Sequence, residues 1–331
     1  MKPLKITLKT PIEEIQRLRS TAKIYIKRDD LNGLLISGNK ARKLEYLIAD
    51  AKNRNCDTII TCGPVQSNHC RTTVVFAQHF GLECHLLLRL HGKQRKIYTG
   101  NLLIDRLLGA KVHYITPAQY DRRNEIMKAY ANGLSKKGKK PYIIPEGGSN
   151  EIGALGYLDC MKEMKNFIKE EKIEAVYCAV GSGGTYAGLL LGKKILNLNI
   201  DLNGIIICDT IEFFKEKIYK ICETAIDKFT MGIEIGEDDI NLIDGYVGEG
   251  YGIPYPAELK TISRLAKLGI ILEPVYTGKA FYGMLNHVRK SKYKKVIFIH
   301  TGGIFSIFAF AKDITSAITR TKGVGGKELR E

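Results

Sequence analysis

The sequence predicts an α/β fold. Three observations carry that expectation. Strands and helices alternate along almost the whole chain, several strands are short and nearly all apolar, and two strands run straight into glycine-rich segments that open helices. Apolar strands of this kind belong to parallel sheets covered on both faces by crossover helices.

Taken in order, Ile24 to Lys27 reads as a strand, and Arg42 to Lys52 as a helix whose Leu44, Leu47, Ile48 and Ala51 share one face. Thr58 to Thr61 is a strand, and Asn68 to Phe80 a helix stopped by Gly81. Cys84 to Leu88 is a strand, followed by a helix near Tyr98 to Leu108, a strand over Lys111 to Ile115, a helix through Tyr130 and a strand at Tyr142 to Ile144. After Pro145-Glu146-Gly147-Gly148-Ser149 come a helix from Ile152 to Ile168, a strand over 174–180, a helix from Thr185 and a strand over Gly204 to Cys208. Lys295 to Ile299 is the strand that enters the second junction, His300-Thr301-Gly302-Gly303, with a helix expected from Ile304. Ligands of open α/β sheets bind outside the carboxyl ends of strands, so the two junctions are placed to face one ligand.

Composition narrows the class. At 331 residues the chain can bury a sizeable core, and two domains are expected. Its eight cysteines include no Cys-x-x-Cys pair, which argues against a zinc cage or a disulfide framework and for reduced thiols in a cytoplasmic protein. No apolar run is long enough to span a bilayer, so neither secretion nor membrane insertion is expected. The net charge of +16 favours anionic ligands, but its local runs at 136–140 and 289–295 each precede a strand and read as solvated helix ends or loops. No docking element or aromatic platform accompanies them, and no specific nucleic-acid partner is expected.

The first junction, Gly181-Ser182-Gly183-Gly184-Thr185-Tyr186-Ala187-Gly188, suits a phosphate, because unpaired amides at a helix start carry partial positive charge. Tyr186 stands where the dinucleotide fingerprint wants its last small residue, although Asp209 at the end of the next strand could mimic the ribose-binding acid and keeps that reading open. No glycine loop ends in Gly-Lys-Ser/Thr, which removes the nucleotide P-loop. Lys40 points elsewhere. With Asn39 as a plausible N-cap, Lys40 falls in the first helical turn, where the positive end of the helix dipole eases loss of its proton and suits an amine that forms a Schiff base. Arg42 and Lys43 share the turn, so a solvated basic cap is the competing reading.

The motif series Lys27-Arg28-Asp29-Asp30-Leu31, Gly38-Asn39-Lys40-Ala41-Arg42-Lys43-Leu44-Glu45-Tyr46 and Gln66-Ser67-Asn68-His69-Cys70-Arg71 resembles the pyridoxal-phosphate enzymes that include D-cysteine desulfhydrase and 1-aminocyclopropane-1-carboxylate deaminase. Gly148-Ser149-Asn150, Gly153 to Tyr157, the phosphate loop, Gly250 to Pro254, Pro274 to Ala280 and His300 to Gly303 extend the resemblance over nearly the whole chain. It implies a tryptophan-synthase-β-like fold of two domains, residues 1–42 with 151–331 and residues 43–150, with pyridoxal 5'-phosphate between them. It further implies a homodimer and a small amino-acid substrate.

Residue by residue, the resemblance makes Lys40 the lysine that holds the cofactor and moves protons at the substrate carbon. The amides of Gly181, Ser182, Gly183, Gly184 and Thr185 would bind the phosphate. Asn68 would hydrogen-bond the cofactor's 3'-oxygen, and Ser67 with nearby amides would take the substrate carboxylate or act in proton transfer. Tyr276 would pack on the pyridine ring and Tyr251 would face the substrate, with His69 and Gly148 beside it. Ser67 also reads as an N-cap, and His69 and His300 as satisfied structural histidines; no metal is expected.

The related deaminases place glutamate after the tyrosine matched by Tyr276 and leucine where this chain has Thr301, whereas the desulfhydrase branch has threonine at both positions. Here Thr277 and Thr301 stand there. A carboxylate would hold the ring nitrogen protonated and strengthen the electron sink; a hydroxyl supports it more weakly, which suffices when a thiol leaves. The expectation is therefore α,β-elimination from D-cysteine, with the cyclopropane deaminase reaction, or elimination from D-serine, cysteate or 3-chloroalanine, as alternatives. Glu146 replaces a valine common in the desulfhydrases and reads either as a helix-start acid or as a carboxylate in the pocket. A non-catalytic nucleotide- or anion-binding protein on the same scaffold is the reading from another class.

Overall fold

The computed structural model describes residues 1–90 and 98–322. In chain order the strands are β1 (Ile12–Glu14), β2 (Lys23–Lys27), β3 (Thr58–Pro64), β4 (Glu83–Arg89), β5 (Lys111–Ile115), β6 (Pro141–Ile143), β7 (Ala175–Val180), β8 (Asp201–Ile206), β9 (Asn241–Ile243) and β10 (Lys295–Ile299). The helices are α1 (Asn39–Asn53), α2 (Asn68–His79), α3 (Gly100–Leu107), α4 (Pro117–Asp121), α5 (Arg123–Ser135), α6 (Glu151–Glu170), α7 (Gly184–Ile195), α8 (Ile211–Phe229), α9 (Pro256–Ala266), α10 (Thr277–Lys290) and α11 (Ala311–Lys322).

Two sheets organise them. One has the order β1-β2-β10-β7-β8-β9, parallel except for the β1–β2 pair, and the other is the all-parallel β5-β4-β3-β6. The apolar strand sequences are buried as double coverage requires: Ile59, Ile60, Leu86 and Leu88 in the small sheet, and Val176, Ile297, Phe298 and Ile299 in the large one, are inaccessible or nearly so. The expected strands all form, and β1 and β9 are additional short ones. The segment from Ile304 differs from its expectation: it is a 3-10 turn over Ile304–Phe310, and the α-helix starts only at Ala311.

Four features lock the helices under the site. α6 and α7 cross at glycine: a Cβ on Gly188 would lie 2.1 Å from the Ala154 carbonyl oxygen and 2.6 Å from Tyr157 Cβ. Below α1, Arg42 donates to both Asp29 and Glu163, Tyr157 donates to Asp29, and Lys27 pairs with Glu163 at 3.0 Å. At its far end α1 is tied to the small sheet, since Tyr142 of β6 donates to Asp50 at 2.7 Å. Tyr186 fills the α7–β8 contact, its hydroxyl on the Leu202 carbonyl at 2.9 Å, and the room comes from Gly204, whose Cβ would fall 2.8 Å from the Tyr186 ring. No helix among the described residues is long and apolar enough to cross a membrane.

Candidate active site

The two glycine junctions, the start of α1 and the start of α2 converge on a cavity of about 250 Å³. The N-cap of α1 is Gly38, not Asn39. Gly38 adopts φ 109°, and a Cβ there would lie 2.4 Å from the Thr301 carbonyl oxygen, so only glycine brings the helix start against the second junction. Asn39 is instead the first helical residue, and its amide donates outward to Thr185 Oγ1 at 2.9 Å.

Lys40 Nζ lies 3.2 Å from Asn39 Oδ1 and 6.0 Å from the Tyr276 ring centre. Burial pushes its amine down to about 8; Glu146 and Glu273 pull the other way, and Arg71 adds to the lowering. Lys43, one turn on, is also buried and well below its ordinary value through burial, with its Nζ on the Gly147 carbonyl and on Ser149 Oγ at 3.1 Å. Ser149 Oγ in turn meets Ser182 Oγ at 2.8 Å, so a second amine stands directly behind the phosphate loop.

Ser67 caps α2, accepting from the Cys70 amide at 3.1 Å. Asn68 is oriented by Asn101, whose amide donates to Asn68 Oδ1 at 2.9 Å and leaves the Asn68 Nδ2 as a donor. Arg71 holds Asn101 from behind at 3.2 Å. The His69 tautomer follows from its partner: Thr61 Oγ1 donates to the Ile144 carbonyl, so it must accept from His69 Nε2 at 2.8 Å. That leaves Nδ1 a buried lone pair without a partner among the described residues, on a ring that burial keeps neutral.

Tyr251 and Tyr276 share a hydrogen bond between their hydroxyls, and burial raises both phenols, so they stay protonated donors. Thr301 lines the cavity, but Thr277 does not. Thr277 accepts from the Glu273 amide at 2.9 Å, and the Glu273 carboxylate takes the amides of Val275, Tyr276 and Thr277 at 2.8, 2.7 and 2.8 Å. Burial raises that carboxyl. Glu273 thus closes the buried turn that leads into α10 and is not part of the cavity wall.

Of the residues singled out in the sequence, Lys40, Ser67, Asn68, His69, Gly181, Ser182, Gly183, Thr185, Tyr251, Tyr276 and Thr301 line the cavity together. Gly184 and Gly148 lie just behind it: the Gly184 amide donates to Ser149 Oγ at 3.3 Å, and Gly147 takes the lining position beside Gly148. Glu146 does face the cavity, held by Arg123 at 2.9 Å and by the Tyr120 hydroxyl. Sequence reasoning missed Lys43, Asn101, Tyr120 and Arg89. Lys43 sits inside a motif already singled out, but Asn101, Tyr120 and Arg89 carry no local signal.

A family model described as pyridoxal-phosphate dependent enzyme matches residues 5–302. The chain belongs to that family. Among this enzyme's relatives is the bifunctional D-cysteine desulfhydrase/1-aminocyclopropane-1-carboxylate deaminase of Arabidopsis thaliana, 36% identical over 96% of this chain and 85% of that one. The D-cysteine desulfhydrase of Yersinia enterocolitica is 37% identical over 91% and 93%. A solved structure of an ACC deaminase homologue superposes with a TM-score of 0.88 at 37% identity, covering 96% of each chain. The fold is accordingly the tryptophan-synthase-β-like fold of these pyridoxal-phosphate enzymes, and pyridoxal phosphate is the cofactor. The residues fit it. α7 opens at Gly183 without a side-chain cap, which leaves amides for a phosphate, a Cβ on Gly181 would fall 2.9 Å from the Tyr276 ring, and the Lys40 amine and Asn68 Nδ2 are directed donors in the same cavity.

Proposed function

We propose that this pyridoxal-phosphate enzyme catalyses α,β-elimination from D-cysteine to hydrogen sulfide, pyruvate and ammonia. The cofactor supplies the electron sink that acidifies the Cα–H of a bound amino acid. The observation that carries the reading is the neutral wall at the second junction: Thr301 faces the cavity, while Glu273 is consumed by three backbone amides behind it. A hydroxyl there supports the pyridine nitrogen weakly, which is enough for a reaction with a good leaving group.

The chain's own groups then divide the work. Lys40 moves the proton at Cα, with its low basicity leaving it able to act near neutrality. Ser67 and the first amides of α2 would take the substrate carboxylate, and Asn68 Nδ2 would donate to the cofactor's 3'-oxygen. The amides of Gly181, Ser182, Gly183 and Thr185 would hold the phosphate, with the Gly184 amide bonded to Ser149 and Lys43 behind them. Tyr276 would pack against the ring and Tyr251 would face the substrate. The Cα proton leaves, the C–S bond breaks with its electron pair on sulfur, and sulfide departs protonated; the remaining aminoacrylate adds water to give pyruvate and ammonium.

The test is sulfide release from D- and L-cysteine alongside 2-oxobutanoate release from 1-aminocyclopropane-1-carboxylate. Sulfide from D-cysteine well above that from L-cysteine is expected, and efficient 2-oxobutanoate formation would sink the assignment. In the proposed organisation, residues 43–150 form the smaller domain around the four-stranded sheet, and residues 1–42 with 151–331 form the larger. A cytoplasmic homodimer is proposed with it. Eight free thiols support the compartment, and exposed Leu34, Leu103, Leu107 and Phe308 support the second copy. Light scattering checks the latter, and a monomeric mass would refute it.

A further inference from the structure

Arg89 is the last residue of β4, at the carboxyl edge of the small sheet, and it lines the same cavity as Lys40. Its guanidinium lies 4.5 Å from the Tyr120 ring centre and 6.0 Å from that of Tyr251, and its Nε is buried without a hydrogen-bond partner among the described residues. Arg123 stacks on the same Tyr120 ring at 5.0 Å, but Arg123 is paired: its Nε meets Glu146 at 2.9 Å. Two guanidinium groups therefore share one ring, but only Arg123 holds the carboxylate, and Arg89 forms no ion pair among the described residues. A half-buried cation held against two aromatic rings, with its Nε unmet among the described residues, is better satisfied when an anion arrives.

The substrate's α-carboxylate is not that anion in the reading above, since Ser67 and the start of α2 take it. Tyr251, whose hydroxyl is bonded to Tyr276, stands between Arg89 and the Lys40 side of the cavity. We infer that Arg89 is the subsite for negative charge on the substrate's β-substituent, and that the enzyme prefers small amino acids whose side chain ends in an anion, cysteine thiolate among them. This inference rests on the amino-acid elimination proposed above. Glu146 opposes it only in part, because the ion pair with Arg123 offsets its charge.

The experiment is a titration of the holoenzyme's visible band with both enantiomers of aspartate, asparagine and alanine. Aspartate and asparagine differ by little except the charge, and neither carries a leaving group at the β-carbon. Aspartate of the productive enantiomer is expected to bind at least about tenfold more tightly than asparagine, and Arg89→Met to abolish that ratio. Arg89→Lys should retain part of it. Glu146→Gln, which frees Arg123 as a second cation, should widen it. Equal affinities in the wild type, or a ratio unchanged in Arg89→Met, would overturn the inference while leaving the elimination reaction standing. If no amino acid, D-cysteine included, moves the band, both fall together.

Discussion

The lowered basicity of Lys40 can be read directly in the pH dependence of cofactor uptake. Burial brings its amine from an ordinary 10.5 to about 8. At pH 7 the free-amine fraction then rises from ~0.03% to ~9%, about 300-fold more nucleophile. The rate at which apoenzyme gains its visible band on mixing with pyridoxal phosphate should climb with pH and level off near 8. Since Glu146 favours the ammonium form, Glu146→Gln should move the break to lower pH. Lys40→Arg should yield no band fixed by borohydride. A wild-type rate that keeps rising tenfold per pH unit beyond pH 9.5 would show that burial does not set this amine, and the argument for its role near neutrality would fail.

Other perturbations read the scaffold. Asp29→Asn removes the carboxylate beneath Arg42 and should cost ~3–5 kcal/mol of stability at pH 7. Burial alone would raise Asp29, but Arg42, Lys27 and Tyr157 outweigh it and hold it below its ordinary value. Its contribution is therefore complete above the unfolded value near ~3.9 and lost as pH falls through the lower folded one, so the gap between wild type and variant in denaturant titrations should close in acid. A gap independent of pH would contradict this. Gly188→Ala should lower stability by ~1–3 kcal/mol, because its Cβ meets backbone of α6; an unchanged melting temperature would refute the crossing. Asn101→Ala releases the Asn68 amide and should weaken cofactor binding ~10-fold, measured by equilibrium dialysis; unaltered retention would show that Asn68 needs no such support.

Much of this was legible in the chain because it depends on local pattern. The alternation of apolar strands and amphipathic helices fixed the class, and Ser67 behaves as the N-cap its position suggested. What was not legible depends on partners far along the chain. Asn39 looks like a cap, but Thr185 of α7 draws its side chain away and the close approach of Thr301 demands Gly38 instead. Thr277 and Thr301 are indistinguishable as motif residues, yet one bonds to Glu273 and the other faces the cavity. The meaning of Glu146 turned on Arg123 and Tyr120, neither of which belongs to any motif. No periodicity could show that β10 inserts between β2 and β7 and so brings the second junction beside the first.

α1 behaves as a beam pinned near both ends. Arg42 is anchored to Asp29, just past β2 of the large sheet, and Asp50 to β6 of the small one, so a displacement of one sheet against the other loads these pins before it can shift Lys40. The amides of α1 should then exchange with solvent only when the whole molecule opens. Lys40 is thereby mounted on a helix tied near both ends, so its position depends on both sheets at once.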